Sequence, residues 1–122
     1  MNVKFKFFIG GYFGGHFELV LKKKHLVGII SDYPFPPLSP SHSFPIKDDP
    51  DWMTLLQYLK TLKWKATYVE AGTCDGTQWT LDFRYEDIHL KCYGSNAYPR
   101  GFKKLLQLIN NVTKKYGVDA KL

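Results

Sequence analysis

The chain has 122 residues, of which 16% are aromatic, and a formal net charge of +6. That length buries one core without a metal or a disulfide framework, and two cysteines, Cys74 and Cys92, are too few for a stapled secreted scaffold. No apolar run reaches membrane-spanning length, and Met1-Asn-Val-Lys-Phe-Lys does not read as a signal peptide. The expectation is a cytoplasmic protein with free thiols.

In chain order, Val3, Phe5, Phe7 and Ile9 alternate with Lys4, Lys6 and Phe8, the period of a half-buried strand. Gly10-Gly-Tyr-Phe-Gly-Gly breaks the pattern. It lacks the Lys-Ser/Thr of a phosphate-binding loop and reads as a hairpin connection. Phe17, Leu19 and Leu21 resume the alternation. Lys22-Lys23-Lys24 reads as a solvated turn, and Leu26 to Ile30 as a third strand. Five prolines between Tyr33 and Pro45 then argue against any central strand or helix. Asp49-Pro50-Asp51 is a helix start, with an N-cap carboxylate, Pro in the first turn and a second acid. Trp52, Leu55, Leu56, Leu59 and Leu62 supply its apolar stripe, and residues 64–69 a short strand bounded by Gly72.

Trp79, Leu81, Phe83 and Tyr85 alternate with polar residues, as do Ile88, Leu90 and Cys92. A turn at Glu86-Asp87 places Tyr85 opposite Ile88, Phe83 opposite Leu90 and Leu81 opposite Cys92, all on one face. Pro99 suits a first helical position. Phe102, Leu105, Leu106, Ile109 and Val112 follow at helical spacing, with Gly117 as a stop.

The run DGTQW…YGSNAYPRGFKKLLQLI resembles a motif of small uncharacterised bacterial proteins: Asp-Gly-Thr-x-Trp, a Gly-Ser-Asn-Ala-Tyr-Pro turn, then a helix beginning near a Phe. It spans residues 75–109, with Trp64 and Tyr68 as further members. The resemblance implies a bacterial or phage origin and one globular domain, and implies no reaction.

These elements predict an α+β fold in a single domain over residues 1–122. The architecture is a two-layer sandwich, with an antiparallel sheet of about five to six strands and two helices on one face, in the order β-β-β-α-β-β-β-α.

Charge is uneven: +4 over residues 1–30, −4 over residues 31–87 and +6 over residues 88–122. Basic ends can steer an anionic partner. His16, His25, His42, His89 and the two cysteines show no metal-ligand spacing, so no metal or cofactor is expected. Cys74 with His89 gives no selected nucleophilic pair, and no enzyme activity is expected. The first candidate surface is the loop aromatics Tyr12, Phe13, Tyr33 and Phe35 beside Lys22, Lys23 and Lys24, a combination suited to a protein partner. The second is a polar site at Asp75, Ser95, Asn96 and Tyr98. The expected function is a small non-catalytic binding protein. An inhibitor in bacterial or phage conflict, such as an immunity or anti-defence protein, is one form of it. The alternative is a binder of nucleic acid or an anionic nucleotide through a basic, aromatic surface.

Overall fold

Alternating strands need a layer to cover their apolar side, and the computed structural model shows how this chain supplies it. The structure describes residues 3–11, 16–23, 25–31, 42–70 and 76–116. The strands are β1 (Val3–Gly11), β2 (His16–Lys22), β3 (His25–Ser31), β4 (His42–Pro45), β5 (Thr67–Val69), β6 (Thr77–Tyr85) and β7 (Ile88–Ser95). Helix α1 (Pro50–Leu59) lies between β4 and β5, and α2 (Phe102–Thr113) follows β7 and ends in a 3-10 turn at Lys114–Tyr116. Among the described residues one sheet of seven strands, against the five to six expected, has the order β4-β3-β2-β1-β6-β7-β5.

The α+β two-layer architecture matches the expectation. Two of the hairpins have the expected turns: Lys22 pairs with His25, and Tyr85 with Ile88. Lys23 and Glu86 take positive φ at 57° and 53° to close them. Three details differ. Residues 42–45 form a strand despite their place at the end of the proline-rich segment. The sheet tolerates it because β4 is an edge strand with Pro45 at its last position. The sheet is mixed, since β5 runs parallel to β7. Pro99 does not begin α2. Gly101 is the N-cap at φ 90°, and the Phe102 N–H donates to the Pro99 carbonyl across a preceding turn.

The apolar parity of the strands faces the helices. Phe5 pairs with Phe83, Phe7 with Leu81 and Ile9 with Trp79 across β1 and β6, and all six side chains are buried. Trp52 of α1 meets Phe5 edge-on at 5.8 Å, and Phe102 of α2 lies 4.8 Å from Trp79. Such aromatic pairs add to the stabilisation from area burial alone. Cys92 is a buried free thiol, and burial raises its pKa. Cys74 lies outside the described residues.

Two polar ties fix the helices. Asp49 caps α1 by accepting from the Asp51 N–H at 2.9 Å, and its carboxylate also takes Lys115 Nζ at 2.8 Å. The start of α1 is thereby joined to the end of α2. Tyr58 Oη donates to the Gly101 carbonyl at 2.9 Å, joining α1 to the start of α2. No helix among the described residues is long and apolar enough to cross a membrane.

Candidate binding surface

The conspicuous motif is a clasp. Asn96, at φ 56°, accepts the Thr77 N–H through Oδ1 at 2.9 Å and donates its own N–H to the Thr77 carbonyl at 2.9 Å. Trp79 Nε1 donates to the Ala97 carbonyl at 3.0 Å. The indole lies against Gly94 so closely that a Cβ there would collide with its Nε1 and Cε2. Trp64 and Tyr68 pack on the same indole, at 5.8 and 6.1 Å. The Gly-Ser-Asn-Ala run therefore folds over Trp79 and sets the direction in which α2 leaves.

That clasp employs Asn96 of the second candidate site. The Asn96 amide oxygen already serves the backbone. The Ser95 carbonyl accepts from the Glu70 N–H at 3.1 Å. Ser95 pairs with Gln78 on the parity that points away from the helices, whereas the Tyr98 ring lies on Phe102, 5.0 Å away, on the helix side. The structure does not bring Ser95 and Tyr98 together, and Asp75 lies outside the described residues. Tyr98, Pro99, Gly101, Phe102 and Lys103 line a shallow, mostly apolar hollow of about 360 Å³ at the start of α2.

Of the first candidate surface, Tyr12, Phe13, Lys24, Tyr33 and Phe35 lie outside the described residues. Lys22 and Lys23 sit exposed at the β2–β3 turn.

A third surface emerges from the topology. Both helices lie on one side of the sheet, which leaves the other without a helix among the described residues. Lys4, Lys6 and Phe8 of β1 project there, beside Thr80, Asp82 and Arg84 of β6, and His89, Lys91 and Tyr93 of β7 continue the rows. Five Lys and Arg side chains occupy this face, Lys4, Lys6, Lys22, Arg84 and Lys91, against the carboxylates of Glu18 and Asp82. At its β5 end Tyr93 and Val69 are 39% and 58% exposed, beside Thr67 and Ser95.

Asp82 sits among the cations. Its Oδ2 is 3.2 Å from Lys4 Nζ and its Oδ1 is 3.7 Å from His89 Nε2. The second distance exceeds hydrogen-bond reach, and Oδ1, although buried, accepts no hydrogen bond. Among the described residues, no three His, Cys, Asp or Glu side chains gather as a metal-ligand set. The arrangement is chemically equipped for contact: interleaved charge around an exposed aromatic, on a rigid sheet.

Sequence reasoning missed this surface as a site. Its signal was the polar parity of the strands. What joins Lys4 and Lys6 to Arg84 and Lys91 is the pairing of β1 with β6, which no local pattern announces. No family model, curated protein or solved structure matches the chain.

Proposed function

We propose that this is a small non-catalytic binding protein that engages a protein partner through the uncovered face of its sheet. One observation carries the reading. The face combines a surplus of cations with an exposed aromatic and an exposed aliphatic side chain, Tyr93 and Val69, ringed by Thr67, Ser95 and Gln78. Exposed apolar groups bordered by polar and charged side chains are features of a protein interface. The partner's surface is acidic, because Lys4, Lys6, Arg84 and Lys91 outnumber the carboxylates beside them. A reducing cytoplasm suits the buried Cys92 thiol. A role as an inhibitor in bacterial or phage conflict rests on the motif resemblance alone.

The test is capture from the source organism with the parent protein and with Tyr93→Ala/Lys91→Glu, followed by affinity measurement on the captured partner. Loss of the partner at unchanged circular dichroism supports the reading. Equal affinity in both proteins refutes it.

The same cationic surplus favours a second reading, a single-stranded nucleic acid lying on the sheet with a base on Tyr93. Its signature is distinct: affinity for an oligonucleotide would fall steeply and log-linearly with salt.

A further inference from the structure

Strand β5 covers only part of β7. Its residues pair with Tyr93, Gly94 and Ser95 and with nothing earlier on that strand. The backbone direction along β7 follows from its bonds. The Tyr93 N–H donates to the Ala66 carbonyl at 2.9 Å, and the Ser95 carbonyl accepts from the Glu70 N–H, so odd positions point away from β6. The Asn96 N–H donates to the carbonyl of Thr77, the first residue of β6, so even positions point toward it. By this alternation the N–H and C=O groups of His89 and Lys91 point outward. Among the described residues no strand pairs with them on that side.

We propose that this open edge of β7 takes an extended segment of the protein partner as an added strand, with carboxylates at alternate positions. The proposal rests on the protein-partner reading above and specifies the mode of contact. Main-chain bonds to an exposed edge give affinity, and the side-chain alternation gives selectivity. Added-strand residues beside His89 and Lys91 lie on the uncovered face, next to two cationic or protonatable groups. Lys65, exposed and next to Ala66, whose carbonyl takes the Tyr93 N–H, adds positive charge near this edge. Carboxylates complement these groups. The intervening residue lies beside Leu90, on the apolar parity, and is apolar in turn. A second copy of this chain is a poor occupant. Antiparallel pairing of β7 with itself about Leu90 would set Lys91 against the His89 of the other copy, with no carboxylate to match.

The test uses the whole protein and a capped Val-Glu-Val-Glu-Val-Glu-Val peptide, with a Val-Lys counterpart and a version N-methylated at alternate amides. Amide exchange by NMR reads the edge directly. The Glu peptide should protect the His89 and Lys91 amides and bind Lys91→Pro at least about fivefold more weakly, the equivalent of one lost hydrogen bond before the lost Lys91 cation is counted. Proline there removes an outward N–H and leaves the β6 ladder intact, as edge strands allow. The Lys peptide and the N-methylated peptide should not bind. The N-methylated arm tests the same bonds should Lys91→Pro fail to fold. Four results overturn the proposal: slow exchange of both amides in the free protein, which means that the edge is already filled; a dimer abolished by Lys91→Pro; equal binding of the Glu and Lys peptides; or no binding by the Glu peptide. If the Glu peptide fails while Tyr93→Ala/Lys91→Glu still loses the captured partner, the edge proposal falls and the face reading stands.

Discussion

The two faces of the sheet are built from the same strands and differ only in parity. On β1, Phe5, Phe7 and Ile9 are buried under the helices while Lys4 is exposed to solvent on the other side. On β6, Trp79, Leu81 and Phe83 are buried while Asp82 and Arg84 face out. One face carries ring-to-ring packing and a single core, the other spaced charge and a few uncovered apolar groups. The comparison separates stability from recognition. Substitution at inward positions should cost folding free energy. Substitution at outward positions should leave the fold standing and change what it touches.

The largest expected effect lies on the inward side. Trp79→Ala should cost about 3–5 kcal/mol and Leu105→Ala about 2–5 kcal/mol in denaturant unfolding, because both leave cavities in a packed core. Gly94→Ala should destabilise as well, by about 1–3 kcal/mol, since its methyl group would enter the space of the Trp79 indole. A Gly94→Ala variant as stable as the parent would show that the clasp over Trp79 is loose.

A smaller effect is expected at the tie between the helix ends. Asp49→Ala removes an N-cap and should cost about 0.5–2 kcal/mol. The pH dependence has a definite sign. Burial pushes the Asp49 carboxyl up, but the hydrogen bond from Lys115 and those from the Asp51 and Trp52 N–H groups outweigh it, so its pKa lies below the ordinary value. A carboxyl depressed on folding contributes stability above its unfolded pKa and loses it as pH falls through the folded one. The Lys115 ammonium is held above its ordinary pKa, chiefly by the hydrogen bond to Asp49, and its contribution fades as pH rises through that raised value. The gap between parent and Asp49→Ala, followed by thermal unfolding across pH, should therefore narrow at both extremes. A gap constant down to pH values well below the carboxylate range would contradict the ion pair.

The smallest effect on stability is expected on the outward side. Tyr93→Ala and Lys91→Glu, singly, should each shift unfolding by no more than about 1 kcal/mol, the span of strand propensities. A larger loss from Tyr93→Ala would mean that its side chain is covered by residues outside the described set, and that face would no longer be free.

Much of the inward face was legible in the sequence, because burial writes itself into local periodicity. The Glu86-Asp87 turn fixed the β6–β7 register, and Asp49-Pro50-Asp51 marked the start of α1. The order of strands was not legible, since β1 meets β6 by long-range pairing alone. The prolines ruled out a central strand, but β4 went unread because it stands at the edge of the sheet among the described residues, where their missing N–H is tolerated. Pro99 misled at α2, where the chain makes one further turn and starts the helix from a left-handed Gly101. Of the candidate site residues, Asn96 was read as a local organiser of the helix entry and does close the clasp. The surface at Lys4, Lys6, Arg84, Lys91 and Tyr93 went unread because it joins β1 to the β6–β7 hairpin, which lies far from it in sequence.

The central claim is that the uncovered face, and not the helix layer, meets the partner. Its most direct test compares two doubly substituted proteins of matched stability in the same partner-binding assay. One is Tyr93→Ala/Lys91→Glu on the sheet. The other is Met53→Ala/Lys103→Glu on the helices, where both side chains are exposed. The account predicts that the sheet variant loses the partner and that the helix variant binds it like the parent. Loss on the helix side with full binding by the sheet variant would contradict it.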